Sequence, residues 1–189
     1  MGVILQPLRD RVRLPVRVLF VGINPGMRSA EIGHHFAGYS NRFWKLLFDS
    51  RLVPDAIRSE DDDRLPEWGF GITNLIARPT PGIDTLRPDE YAEGERILRR
   101  KVRRWRPRVV AFVGVTVYRS VFARAAALPV AVGAQPERFE GAAVFVLPNP
   151  SGRNANFTYP EMLRAFRSLN RHLAPVRRRS RRIPVKGRE

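Results

Sequence analysis

The sequence contains no cysteine, so disulfides and thiolate-held zinc or iron–sulfur centres are excluded. Histidine is scarce as well. His34 and His35 are adjacent, which is poor geometry for sharing one ion, and His172 lies far along the chain. Without a clustered set of His and carboxylates, no metal centre is expected. Both nucleotide fingerprints are missing, G-x-G-x-x-G and G-x-x-x-x-G-K-[ST]. So is the G-x-S-x-G turn of a serine hydrolase. No apolar run approaches the roughly 20 residues that span a bilayer. Arg9, Asp10, Arg11, Arg13 and Arg17 break up the stretch where a signal peptide would lie. Together these absences predict a soluble, cytoplasmic chain with no cofactor, no metal and no membrane partner. At 189 residues it is long enough to bury one core unaided.

What the sequence has in excess is positive charge. Lysine and arginine total 34 against 18 aspartate and glutamate, a formal net charge of +16. The last fifteen residues, PVRRRSRRIPVKGRE, hold seven bases and one acid, and the remainder still carries an excess of ten positive charges. A basic surface attracts phosphate backbones through counterion release and speeds encounter. Composition alone leaves open an arginine-rich chain whose charges are merely solvated. A polybasic tail also suits anionic lipid, although no amphipathic membrane helix accompanies it.

Four short apolar runs ending near Gly or Pro read as buried strands: VRVLFVG (16–22), GFGITNLI (69–76), RVVAFVG (108–114) and AAVFVLPNP (142–150). Helical patterns lie between and after them, over 41–52, 89–105 and 116–128. A last helix opens at the capping box Thr158–Glu161, with Pro160 in its first turn and Leu163, Phe166, Leu169 and Leu173 as its apolar stripe. Alternating strands and helices predict an α/β fold. The expected form is a single three-layer domain, with a small, mostly parallel sheet of four to five strands flanked by helices. Residues 1–14 read as an irregular arm, 15–174 as the domain and 175–189 as a basic tail, disordered without a partner. The acidic run SEDDDR (59–64) reads most simply as a solvated loop or helix start.

Two segments stand at carboxyl ends of expected strands, where open α/β sheets bind ligands. They are GINPG (22–26) and LPNPSGRNAN (147–156), each an Asn-Pro turn followed by small residues. Either is ordinary turn chemistry alone; as a facing pair on a basic protein they suggest a pocket plus a probe. A third segment, GHHFAGYSNRFWK (33–45), sets Phe36 in a Gly-flanked loop. A core Phe and a stacking platform for a base both remain open there.

The ordered set GINPG…F…NRFWK…NPSG, with GITNLIARPTPG (71–82), resembles the mismatch-specific uracil-DNA glycosylases, the Mug/TDG branch of the uracil-DNA glycosylase superfamily. The likeness runs over about residues 16–174. It implies an enzyme that flips a damaged or mispaired base out of duplex DNA and hydrolyses its N-glycosidic bond. The expected substrate is uracil, or another altered pyrimidine such as thymine, opposite guanine. Asn24 matches the residue that positions water. An amide cannot take a proton at neutral pH, so its part is orientation, and backbone amides at and around Ile23 are the natural donors to the departing base. Asp84, just past the second strand, is a candidate to assist; a solvated loop acid is the plainer reading. By the same resemblance Phe36 stacks on the flipped base and Ser29 stands beside the pyrimidine 5-position. Asn149, Pro150, Ser151, Gly152 and Arg153 form the loop that enters the minor groove.

Two departures stand out. Bacterial members with this motif typically carry Leu where this chain has Arg153, and a guanidinium bonds and stacks better than it wedges. Asn149 also begins the loop where the uracil-specific branch has a His. No Lys occupies the matched catalytic positions, so a monofunctional hydrolase is expected rather than a Schiff-base lyase. The expected partner is double-stranded DNA containing G:U or related mispairs, met by a monomer that associates with the nucleoid. Phosphate contacts are expected from Arg28, Arg153 and the tail, whereas Arg99, Arg100, Arg103 and Arg104 read more simply as a solvated face. A non-catalytic nucleic-acid-binding domain on the same fold and a small-molecule nucleoside enzyme are the competing readings.

Overall fold

The computed structural model describes residue 5, residues 7–122 and residues 129–174. Five strands form one sheet: β1 (Val18–Gly22), β2 (Phe70–Asn74), β3 (Val109–Val113), β4 (Gly133–Phe139) and β5 (Ala142–Leu147). Their spatial order is β2-β1-β3-β5-β4. β1 pairs in parallel with β2 and β3, and β3 with β5, while β4 runs antiparallel to β5. The expected four- to five-stranded, mostly parallel sheet is therefore present. The strand not expected from the sequence, β4 (GAQPERF), carries no apolar run. It lies on the sheet edge, half-exposed, and its register shifts between Gln135 and Arg138, which brackets Pro136. Proline is tolerated in a strand at such an edge or bulge.

Both faces of the sheet are covered. On one, Val18, Phe20 and Ile72 pack with Phe43 and Trp44 of α2 (Phe43–Asp49) and with Phe166 and Leu169 of α5 (Tyr159–Leu173). On the other, Leu19, Val21 and Val110 meet Leu98 and Val102 of α3 (Pro88–Trp105) and Val117 and Tyr118 of α4 (Val115–Val121). A short α1 (Met27–Ile32) follows the first turn. Of the helix expected over 116–128, residues 123–128 lie outside the described residues, as does the tail from 175 onward. The Thr158 backbone N–H and hydroxyl both donate to Glu161 at the start of α5, as the capping box predicts. Arg99 and Arg103 are not simply solvated, since both reach Glu140 beside the β4–β5 turn.

The acidic run departs further from expectation. Ser59–Trp68 is a 3-10 helix, and Asp62 within it is fully buried. Its carboxylate accepts from Arg11 Nε at 2.9 Å and from the His35 backbone N–H at 2.9 Å, with His34 Nδ1 at 3.1 Å. Burying a carboxylate is tolerated when it is paired and hydrogen-bonded in this way. The amino-terminal arm is stitched down with it: Arg11 exchanges two backbone bonds with Ile72, and Lys101 pairs with Asp10 at 2.8 Å.

β1 is where this sheet changes direction. The chain leaves it to form β2 on one side and later β3 on the other. The crevice outside the carboxyl ends of strands at such a switch point is the natural ligand site of an open α/β sheet.

Candidate active site

β1 and β2 continue side by side past their last paired residues. Leu75 N–H donates to Gly22 O and Ile76 N–H to Ile23 O, both at 2.8 Å, and Thr80 N–H to Pro25 O at 3.1 Å. The turn at 22–26 is thereby bound to segment 74–80. Ile23 is half-buried against the second core face.

Asn24 projects onto that segment. Its Nδ2 donates to Thr80 Oγ1 at 2.7 Å and to Arg78 O at 3.1 Å, with Pro25 O at 3.2 Å. Thr80 is nearly buried and its hydroxyl donates to Gly82 O at 2.6 Å. A carbonyl only accepts, and a hydroxyl whose proton is committed to Gly82 accepts too. Both partners therefore fix the nitrogen inward, and Oδ1 is the atom the Asn24 amide presents. The loop behind is anchored to α3 by Arg78, which makes two bonds to Glu90 at 2.6 and 2.8 Å. That guanidinium holds the Glu90 carboxyl at about 2, well below its ordinary value.

A second amide stands at the end of β2. Asn74 Nδ2 is 3.5 Å from His35 Nδ1, and His35 Nε2 bonds Arg9 O at 3.0 Å. Burial lowers the His35 pKa, so the ring is neutral. The Arg9 carbonyl requires the proton on Nε2, leaving Nδ1 to accept from Asn74. Asn74 Oδ1 then faces Gly22: a Cβ built on Gly22 would stand 2.7 Å from that oxygen and 3.2 Å from Phe36 Cζ. Only glycine leaves this slot open.

The Phe36 ring, half-buried, is stacked on Phe43 at 4.2 Å between centroids and 25° between planes. Its backbone has φ +50°, an uncommon conformation. The neighbouring bonds hold it there. Ser29 is buried in α1, and its Oγ accepts from Ala37 N–H at 3.0 Å; Trp44 Nε1 donates to His35 O at 3.1 Å.

The turn after β5 closes the other side. Asn149 Oδ1 accepts from Ser151 N–H at 3.0 Å, and Arg42 N–H donates to Pro150 O at 2.9 Å. A side chain at Gly152 would collide with Ser40. Arg153 extends across the mouth, its guanidinium donating to Pro81 O at 3.2 Å. Asp84 lies exposed in the 3-10 turn Ile83–Thr85, its carboxylate folded back against Gly82. Thus Asn24, Ile23, Phe36 and the 149–153 loop gather at the carboxyl end of the sheet, where the crevice of such a fold lies. Ser29 stands behind the Phe36 loop and Asp84 at the lip. Sequence reasoning misses Asn74 and Thr80, and reaches His35 only as a poor metal ligand. Asn74 carried the same signal as Asn24, a polar amide at the end of a buried strand. Among the described residues there is no group of three or more His, Asp and Glu placed to hold a metal.

The chain is similar to known proteins over most of its length. The chain is 39% identical over 162 residues to a G/U mismatch-specific uracil DNA glycosylase of Schizosaccharomyces pombe, covering 82% of this chain and 50% of that protein. It spans about half the length of that relative. A solution NMR structure from Methanosarcina acetivorans, named provisionally as a uracil DNA glycosylase, superposes with a TM-score of 0.62 at 15% identity, covering 89% of this chain and 97% of that one. That likeness shows the fold. The family model described as the uracil DNA glycosylase superfamily matches residues 10–174. The chain belongs to the uracil DNA glycosylase superfamily.

Proposed function

We propose that this chain is a monofunctional mismatch glycosylase that flips uracil opposite guanine out of double-stranded DNA and hydrolyses its N-glycosidic bond, leaving an abasic site. The observation that carries this reading is the Asn24 amide, pinned by Thr80 and Arg78 so that its oxygen is presented beyond the end of β1. Extruding the base costs a few kcal/mol, least for a mispaired one. In the crevice Phe36 stacks on the base. Asn74 Oδ1 accepts from N3–H of uracil, a proton that cytosine lacks. Ser29 stands near the 5-position, where its small size leaves room for a thymine methyl. As the bond from N1 to C1′ lengthens, negative charge collects on the base and meets backbone donors at and around Ile23. Asn24 Oδ1 holds a water under C1′. The water oxygen bonds to C1′, the electron pair of the broken bond stays on the base, and the water sheds a proton that Asn24 cannot take. Asp84 is our candidate to receive it.

The loop Asn149–Arg153 enters the minor groove, with Gly152 pressed on Ser40. Arg153 leaves the Pro81 carbonyl to meet the orphaned guanine or a phosphate. The same reading takes 15–174 as the catalytic domain, 1–14 as its arm and 175–189 as a basic tail. It takes the protein to act as a monomer on the cytoplasmic nucleoid. Among the described residues no helix is long and apolar enough to cross a membrane.

The test is a labelled duplex with a single G:U mispair, treated with wild type and Asn24→Ala and then with alkali. Wild type is expected to give a strand break at the uracil, and the variant almost none. No alkali-sensitive product from wild type would sink the enzymatic reading. Equal cleavage by the variant would sink the role of Asn24.

A further inference from the structure

Beside the Phe36 loop lies a groove of about 520 Å³. That size lies within the range of about 300–1,000 Å³ typical of small-ligand sites. Its floor and walls are Trp44, Phe48 and Ile57, and its rim carries Arg28, Arg58 and Tyr39. Tyr39 is 89% exposed and Phe48 40%, so two aromatic side chains that ordinarily prefer burial face solvent in one place. The Arg28 guanidinium lies over the Tyr39 ring at 3.9 Å, a contact that fixes both groups on the outer lip. No ion pair among the described residues neutralises Arg28 or Arg58. Two acids line the same groove: Asp49 is engaged by Lys45 at 2.6 Å and by Tyr159, and Glu60 accepts from the Ser59 hydroxyl and has Arg28 as a charged neighbour.

Aromatic faces interleaved with cations that make no direct ion pair are the surface chemistry that binds unpaired nucleic acid. The rings stack on bases of any sequence and the cations take the phosphates. Connectivity favours the lesion strand as the occupant. Arg28 sits four residues after Asn24, and Phe36 and Gly38 border the groove next to Tyr39. Phe36 borders both the Gly22 slot and this groove, so the nucleotide next to a uracil held in the slot is the one placed to enter it.

We propose that this groove is a subsite for one unstacked nucleotide of the lesion strand adjacent to the flipped uracil. The base lies against Tyr39 and the phosphate between Arg28 and Arg58. In a duplex that nucleotide must first be unstacked, whereas in a single strand it is already free. The subsite therefore favours uracil in single-stranded or frayed DNA, a substrate class beyond the G:U duplex. This inference rests on the glycosylase reading for the position of the strand, but its binding test does not.

The test uses the full chain, a fluorescein-labelled thymidine oligonucleotide about eight residues long, and Tyr39→Ala. The exposed position lets the variant fold, which thermal melting checks. Loss of one stacked base is expected to weaken binding of this uncleavable oligonucleotide by about tenfold, and Arg58→Gln is expected to weaken it further. In single-turnover excision, Tyr39→Ala should lower activity on a uracil-containing single strand by a similar factor, while the rate on saturating G:U duplex stays within twofold. Oligonucleotide binding unchanged within twofold in Tyr39→Ala would overturn the subsite. Equal loss on single strand and saturated duplex would also overturn it, because Tyr39 would then serve the Phe36 loop. If wild type excises from neither substrate while Tyr39→Ala still loses oligonucleotide binding, the glycosylase reading fails and the subsite stands.

Discussion

Replacing Thr80 by Val tests whether the Asn24 amide works by being held. Valine keeps the shape and removes one hydroxyl, the atom that accepts from Asn24 Nδ2 at 2.7 Å and donates to Gly82 O at 2.6 Å. In the wild type, turning the amide over would set Oδ1 against the Arg78 carbonyl and the Thr80 oxygen. That forfeits two bonds, about 2 kcal/mol. In the variant the Arg78 bond and the longer one to Pro25 O still resist, and about 1 kcal/mol of the preference is lost. If the lost bond is felt fully where the water attacks, 1–1.5 kcal/mol corresponds to a fall of about 5- to 10-fold in the chemical step. Affinity for DNA should change little. The Gly82 carbonyl keeps the Thr85 hydroxyl at 3.3 Å, so loss of the Thr80 hydroxyl, at a site 3% exposed, should cost about 1 kcal/mol of stability, a fall of about 2–4 °C in Tm. The assay is single-turnover excision from a G:U duplex at saturating enzyme, for wild type, Thr80→Val, Thr80→Ser, Asn24→Ala and the double variant. Serine should restore most of the rate, and Thr80→Val should cost nothing further once Asn24 is alanine. A Thr80→Val rate within twofold of wild type would refute this account. So would the same loss from Thr80→Val in both backgrounds.

Three further expectations concern the same crevice. Gly22→Ala should keep the fold but fill the slot, since its Cβ meets Asn74 Oδ1 at 2.7 Å and Phe36 Cζ at 3.2 Å; excision should fall about 100-fold, and wild-type kinetics would show that the base goes elsewhere. Asp84→Asn should lower turnover sharply with no change in melting temperature, and near-normal excision would dismiss Asp84 as the proton acceptor. Burial lowers the His35 pKa below 6.5, with Asp62, Asp10 and Arg11 as its charged neighbours. Only the unfolded state then takes up the proton as pH falls, so this contribution to stability is full above pH 6.5 and shrinks below it, by at most about 1.4 kcal/mol per pH unit. Urea melts between pH 7.5 and 5.5 should show that slope in wild type and a flatter one in His35→Gln, and identical slopes would refute it.

Local pattern made much of the architecture legible. Short β-branched runs such as VLFVG and VVAFV can only be buried strands when helices with apolar stripes lie between them, and the parallel sheet follows from that alternation. The Asn-Pro turns at 24–25 and 149–150 were legible because both stand at the carboxyl ends of buried strands, where open α/β sheets bind ligands. β4 did not declare itself. Its sequence is polar and broken by Pro136, and it is a strand only because β5 offers an edge to pair with. Asp62 sat in a run of acids that looked solvated, yet Arg11, His34 and His35, distant in sequence, converge to satisfy it.

The sequence by itself determined the chemistry available: an amide without a base beside it, an aromatic loop, a basic surface, and no thiol or metal set. Only the tertiary structure decided how that chemistry is aimed. Which end of the Asn24 amide faces outward depends on Thr80 and Arg78, more than fifty residues away. Which end of Asn74 faces Gly22 depends on the tautomer that Arg9 imposes on His35. Composition and periodicity encode burial, which is local and non-directional. Hydrogen bonds are directional and long-range in sequence, so their geometry appears only once the chain has folded.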